Sequence, residues 1–336
     1  MSAAPAGPDS GGTAGAYLTT AAAIGSAAPV PSGSLMASGA AAAGAHAHRG
    51  TICLEEARVL THTHFEGEQH VLRLAAPRCA ARATPGSFVH LQCAADLPMR
   101  RPLSLMRASA ADGWIEVLYK VVGAGTRALA RQPVGATLSV LGPIGHGFRV
   151  HRERPRVLAL GGGVGIPPMV FLAGELVSRR AEGWKPLVLM GSEVPFPFRV
   201  RPSTILVAGL PPAVIGCMPL LDEWSVPSRL ASLQGYAGCH EGYITDLARL
   251  WLQSLTAAQR DEIELFACGP TPMLAATARL AHEFALPCQV ALEEFMACAV
   301  GGCAGCAVAV HGPDGVAMKK VCVDGPVFDA AAVFPA

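Results

Sequence analysis

The sequence predicts a multidomain α+β protein: an antiparallel β-barrel, then a parallel α/β domain, then a small cysteine-rich C-terminal domain. Three observations carry that expectation. Short β-like runs separated by Gly, Pro and Asp fill residues 49–150. Strand and helix patterns alternate over residues 151–288. Four of the eleven cysteines crowd into residues 289–336. Without a secretory signal, such clustering points to metal before disulfides.

Residues 1–48 are almost entirely Ala, Gly, Ser, Pro and Thr, too little apolar bulk to offset the entropy of ordering them. They read as a disordered extension. A transit peptide is the alternative, but it should be rich in arginine, and the first arginine is Arg49. In the next stretch, Val71–Leu74, Ser87–Gln92, Trp114–Lys120 and Thr137–Leu141 lack a helical period and predict strands of a barrel or sandwich. The texture changes at Arg154–Arg156. Val157–Leu160 predicts a buried strand, Gly161–Gly165 a tight turn, and Pro167 and Pro168 the first turn of a helix through Val177. Further strands are expected at Leu187–Met190, Thr204–Val207 and Ile263–Ala267. Helices are expected from a Thr245 cap to Leu255 and over Met273–Phe284. The final segment is too short and glycine-rich for a core of its own, and a metal centre would supply the missing cross-link.

Lys plus Arg is 26 against 25 Asp plus Glu, so no basic footprint for nucleic acid is present. No run reaches the roughly 18 apolar residues of a membrane span. Asp9 is the only charge before Arg49, so no basic region opens a secretory signal. A cytoplasmic location is expected.

The tail reads Cys298-Ala-Val-Gly-Gly-Cys303-Ala-Gly-Cys306, with Cys322 beyond. This C-x4-C-x2-C…C spacing is the plant-type arrangement for a [2Fe–2S] cluster. Gly301, Gly302 and Gly305 let the backbone wrap and turn its N–H groups toward the sulfurs. A structural zinc site is the alternative, but zinc sites more often pair one C-x2-C with another.

Other motifs are ambiguous taken singly. Gly161–Gly165, between a strand and a helix, suits close approach of a pyrophosphate, although it is not G-x-G-x-x-G and a structural turn would read the same. Cys268-Gly269-Pro270 follows a strand at the sheet end where ligands bind, yet a buried cysteine is more often inert packing. Arg100-Arg101-Pro102-Leu103-Ser104 offers an arginine fork and a hydroxyl for a phosphate and a ring system, or two solvated arginines. Gly123-Ala-Gly125-Thr126 could be a plain loop between strands. His62, His64 and His70 match no metal template and read as solvated loop residues. No Ser–His–Asp or paired-carboxylate constellation is supported by spacing.

In order, Arg101-Pro-Leu-Ser104, Tyr119-Lys-Val-Val-Gly-Ala-Gly-Thr126, Gly142-Pro-Ile-Gly145, Gly161-Gly-Gly-Val-Gly165 and Cys268-Gly-Pro-Thr-Pro-Met273 resemble the ferredoxin–NADP reductase superfamily. Within it, Leu292-Glu-Glu-Phe-Met-Ala-Cys298 through Val321-Cys-Val-Asp-Gly-Pro-Val-Phe328 is similar to the cluster segment of the electron-transfer subunits of NAD-dependent (class 1B) dihydroorotate dehydrogenases. The resemblance covers roughly residues 50–330. It implies an FAD-binding barrel over 49–150, an NAD-binding α/β domain over 151–288 and a [2Fe–2S] domain over 289–336. Arg101, with Pro102 and Leu103 beside it, would contact the FAD pyrophosphate, and Ser104 the flavin ring region. Gly125 and Thr126 would add FAD contacts. Gly163 and Gly165 would face the dinucleotide, with Cys268 and Gly269 near its reactive ring, and Cys298, Cys303, Cys306 and Cys322 would hold the cluster.

The implied function is electron transfer in pyrimidine biosynthesis. Dihydroorotate would be oxidised in an FMN-containing partner subunit, two of each chain per assembly, and electrons would pass through the cluster and FAD to NAD⁺. An FAD and [2Fe–2S] subunit of an NADH-dependent ferredoxin:NADP oxidoreductase or hydrogenase-type complex is the alternative, and a zinc-stabilised interaction module a more distant one. Arg199 and Arg201 leave NADP open as the nucleotide. Ala299 stands where the family usually has glycine, Gly235–Gly242 departs from the family's acidic glycine-rich stretch, and the N-terminal extension has no counterpart in the family pattern.

Overall fold

The computed structural model describes residue 50 and residues 52–335; the extension expected over 1–48 lies outside the described residues. Strands β1 (Cys53–Phe65), β2 (Gln69–Ala75), β3 (Phe88–Leu91), β4 (Arg101–Ser109), β5 (Trp114–Lys120) and β6 (Thr137–Ile144) close an antiparallel barrel in the order β1-β2-β5-β4-β3-β6. Its interior is filled by inward residues such as Leu72, Leu74, Val89, Leu105, Ile115 and Val117, all fully buried. Alternation of side chains along each strand puts these on one face. Helix α1 (Pro77–Ala80) follows β2, and α2 (Ala124–Ala130) joins β5 to β6. Gly123–Thr126 is therefore a helix start and not a loop, with Thr126 Oγ1 accepting from the N–H groups of Val122 and Gly123 at 3.0 and 3.2 Å.

The second region begins with β7 (Arg156–Gly162), a 3₁₀ turn (Gly163–Gly165) and α3 (Ile166–Ser178), whose first turn holds both prolines. Then come β8 (Lys185–Gly191), a ribbon of β9 (Arg201–Pro202) with β10 (Gly216–Cys217), α4 (Pro219–Glu223), β11 (Ser228–Ser232), β12 (His240–Glu241), α5 (Ile244–Ser254) and α6 (Ala257–Asp261). They are followed by β13 (Ile263–Cys268), α7 (Thr271–Glu283) and β14 (Cys288–Ala291). The sheet order is β12-β11-β8-β7-β13-β14-β17, parallel up to β14, and β17 (Val327–Asp329) adds antiparallel. Leu158, Leu160, Leu189 and Leu265 pack to one side with α5 and α7, while Val157, Val188, Met190 and Phe266 pack to the other with α3. Strands covered on both faces read as unbroken apolar runs.

The sheet thus runs on past residue 288. The cysteine segment, with the hairpin β15 (Ala307–Gly312) and β16 (Gly315–Lys320) and helix α8 (Val321–Asp324), is inserted between β14 and β17; α9 (Ala330–Val333) ends the chain. It is anchored to the barrel as well: His146 N–H donates to the Gly325 carbonyl at 2.6 Å. A methyl group at Gly145 would sit 2.3 Å from Pro326 Cδ.

Several expectations are corrected. Residues 204–207 form no strand, because the Ile205 carbonyl accepts from buried Arg229 and Thr204 bonds to the Asp222 carboxylate. Leu206 lies 91% exposed. The sheet instead takes β11, whose serines and arginine hide it from a hydropathy reading. Thr245 lies inside α5; its cap is Tyr243, whose N–H donates to Asp246 Oδ2 at 3.3 Å. His62, His64 and His70 are not loop residues: all lie on β1 and β2, and His70 is buried against Tyr119.

Candidate functional site

A cavity of about 1170 Å³ lies where barrel, sheet and cysteine segment meet. Its walls bring together Arg101, Pro102, Leu103 and Ser104 from β4, Tyr119 from β5, Gly123 at the cap of α2 and Thr126 within it, Cys268 from β13, and Leu292–Ala297. The expected arginine fork is divided. Both arginines line the cavity, but Arg100 is also tied to the barrel, donating to the Ser139 carbonyl at 2.7 Å and to Ser139 Oγ at 3.0 Å. Arg101 bonds only to the neighbouring carbonyls of Met99 and Arg100 among the described residues. Gly125 stands behind it: a methyl there would come within 2.7 Å of Arg101 Nε. The glycine thus lets the guanidinium lie over the helix start. An arginine and a helix N-terminus at one cavity wall suit a pyrophosphate.

At the carboxyl end of the sheet, the β7 and β13 turns touch. A Cβ at Gly165 would sit 2.2 Å from the Cys268 carbonyl oxygen, and one at Gly162 would strike Met273. Gly165 is explained by this contact. Gly163 has φ +55 with open space around it, and Gly269 packs on Met273. Gly125, Gly163, Gly165 and Gly269 flank the cavity rather than line it, and Val164 and Thr271 line it beside them. Cys268 is 1% exposed. Burial, with the Glu293 carboxylate beside it, pushes its thiol well up, so it is no thiolate nucleophile. The Glu293 side chain is exposed, with its Oε1 4.0 Å from Cys268 Sγ.

The four tail cysteines arrange as two pairs. Cys306 and Cys322 are buried, with sulfurs 3.3 Å apart. Cys298 and Cys303 lie close enough to each other to interact. The N–H of Gly302 points at Cys298 Sγ (3.2 Å) and that of Gly305 at Cys303 Sγ (3.4 Å). Burial opposes ionisation of Cys298, but backbone N–H groups and the Cys303 thiol outweigh it and bring the thiol down to about 7. Burial and Cys306 push Cys322 up to about 12. Among the described residues no three metal-ligating side chains come together in one group; what the loop offers is thiols with backbone N–H groups aimed at sulfur, the donor chemistry that a [2Fe–2S] cluster would take. Ala299 sits in this loop at φ +55 and 1% exposed. Glycine adopts that left-handed backbone conformation at the least cost, and alanine holds it under strain.

Residues 293–334 match the iron–sulfur cluster binding domain of dihydroorotate dehydrogenase B. The chain is 34% identical over 254 residues to the dihydroorotate dehydrogenase B (NAD(+)) electron transfer subunit of Shouchella clausii, covering 74% of this chain and 86% of the relative. It is 36% identical, with the same coverage, to the subunit of that name from Bacillus caldolyticus. It belongs to that family of electron transfer subunits. Among solved structures, an NADH-dependent reduced ferredoxin-NADP oxidoreductase studied for flavin-based electron bifurcation matches with a TM-score of 0.66 and 25% identity, over 82% of this chain and 89% of that one. The dihydroorotate dehydrogenase B relatives are more similar in sequence, so the ferredoxin:NADP alternative is not favoured. As a family member, the chain is the electron-transfer component of an oxidoreductase that has a catalytic partner.

Among the described residues no helix is long and apolar enough to cross a membrane. The lining residues Phe88 and Leu118 carry no sequence motif that would have nominated them, since long-range packing alone brings them to the cavity, whereas Val164, Thr271 and Phe295 lie inside the Gly161–Gly165, Cys268–Met273 and Leu292–Cys298 motifs.

Proposed function

We propose that this chain passes electrons between an FMN-containing dihydroorotate-oxidising partner, two of each per assembly, and NAD⁺, in the cytoplasm and within pyrimidine biosynthesis. The observation that carries this reading is the single cavity shared by Arg101–Ser104, the start of α2, Cys268 and the segment leading into the cysteines. FAD bound there supplies the conversion between two-electron hydride transfer and one-electron steps. Arg101 and the N–H groups at the start of α2 hold its pyrophosphate, and Gly125 leaves room for the guanidinium. Ser104 orients the ring region, with Pro102 and Leu103 as apolar wall. Gly163 opens the β7 turn to the dinucleotide, while Gly165 and Gly269 seat the two turns against each other and place Cys268 beside the reacting ring. Cys298, Cys303, Cys306 and Cys322 ligate the cluster, and the N–H groups of Gly302 and Gly305 stabilise its negative charge. We propose residues 49–150, 151–288 and 289–336 as the FAD, NAD and cluster domains, with β17 returning to the NAD sheet.

The test is co-expression with a candidate FMN subunit, followed by co-purification, flavin and metal analysis, and dihydroorotate:NAD⁺ reductase assay. The expected result is a complex holding FAD, FMN, iron and sulfide that reduces NAD⁺ in preference to NADP⁺. A chain that binds zinc and no flavin, or that assembles only with proteins rich in [4Fe–4S] clusters, would sink the reading.

A further inference from the structure

Three histidines used by neither cofactor site stand on the β1–β2 hairpin of the barrel. His62 is the informative one. Its Nδ1 lies 2.9 Å from the Gln132 carbonyl oxygen and its Nε2 lies 2.8 Å from Tyr119 Oη. A carbonyl only accepts, so Nδ1 carries the proton; Nε2 of the neutral ring is then the acceptor, and the Tyr119 hydroxyl donates. Tyr119 is near the end of β5 and Gln132 lies just beyond α2. One imidazole therefore ties together both ends of residues 119–132. Tyr119, Gly123 and Thr126 of that segment all line the large cavity.

The surroundings reinforce the clamp. His70 stacks on the Tyr119 ring with centroids 5.1 Å apart and planes 9° from parallel, and His62 lies 5.2 Å from His70. The Gln132 side chain donates to the carbonyls of Cys93 at 3.2 Å and Ala128 at 3.4 Å, fixing the far end to the barrel and to α2. Tyr119 is 2% exposed, so without His62 its hydroxyl would be buried with no acceptor and the ring would have to move to satisfy it.

We propose that His62 is a positioning residue for the flavin site, holding segment 119–132 in the shape that receives FAD. The assignment rests on the reading that FAD occupies this cavity. It acts through Tyr119 and α2, with no contact between the imidazole and the cofactor required.

The experiment strips flavin from the full chain and titrates FAD back, following quenching of flavin fluorescence. His62→Ala and Tyr119→Phe should each weaken FAD binding about 3- to 10-fold, the scale of one hydrogen bond. The double variant should be no weaker than either single one, because both remove the same contact. His62→Gln, whose amide oxygen can accept from the hydroxyl, should recover most of the affinity; a merely structural loss of ring packing would not be rescued this way. Tyr119→Phe removes one oxygen and keeps the packing, so it carries the test if His62→Ala does not fold. Unchanged affinity in the single variants, or losses that simply add in the double, overturns the assignment while leaving FAD in the cavity. A wild-type chain that takes up no FAD overturns the reading beneath it.

Discussion

The barrel and the cysteine loop are held together by opposite means. In the barrel, Leu72, Leu74, Leu105, Ile115 and Val117 are wholly buried, and the strands close on themselves so that no edge is left unpaired. In the cysteine segment, Val316 and Met318 of the hairpin are 61% and 66% exposed and Phe295 is 94% exposed. What is buried there, including Met296, Ala299, Cys306 and Cys322, packs on Phe88 and Ile144 borrowed from the barrel. A region with its own core folds around a cofactor site, whereas a region without one depends on its cofactor to fold. The chain joins one of each.

That contrast can be broken at its strongest point first. Cys306→Ser should abolish the visible iron–sulfur absorbance and electron flow from the partner subunit. NADH oxidation with an artificial two-electron acceptor, which needs only the barrel and sheet, should persist; loss of both activities together would show that the two regions are not separable. Next, Leu72→Ala should destabilise the barrel by about 2–5 kcal/mol, read as a lower urea midpoint with the cluster spectrum retained until the barrel unfolds.

The seam between the regions supplies a third test. His90 is 1% exposed on β3, beside the backbone of Met296 and Arg100. Burial, with Arg100 nearby, lowers its pKa to about 4. The unfolded chain takes up this proton below about pH 6.5 and the folded chain does not, so stability falls as pH drops through that window, by at most about 1.4 kcal/mol per unit down to about pH 4. His90→Leu should flatten that slope in urea melts recorded at pH 7, 6 and 5. The smallest effect is expected from Ala299→Gly. Relief of the left-handed backbone is offset by loss of a buried methyl and by a more flexible unfolded chain, leaving a net change within about 1 kcal/mol. A larger gain in cluster retention would mean the strain is not compensated by packing.

Much of this architecture was legible in the residues. Trp114–Lys120 is a strand with the bounds expected of it. The β7–turn–α3 unit, β13 and α7 lie where apolar runs, glycines and prolines placed them. Those elements are local: period, punctuation and burial on both faces are all written within a few residues. The errors fell where long-range partners decided. An apolar run at 204–207 lost its backbone groups to Arg229 and Asp222, and β11 gained a place in the sheet despite its polar residues. His64 is indeed exposed, but His62 and His70 read as solvated only because nothing nearby in sequence reveals that Tyr119 and Gln132 stand beside them.

The cysteine spacing, the order of the glycine and arginine motifs and the change of texture near residue 154 were determined by sequence alone, because ligand chemistry and strand periodicity depend on neighbours along the chain. Tertiary structure alone decided the division of Arg100 from Arg101, the packing of Gly165 onto Cys268, the insertion of the cysteine loop between β14 and β17, and the His62 clamp. Each of these joins groups distant in sequence, and their energies come from distances and burial that exist only once the barrel and sheet have closed around them.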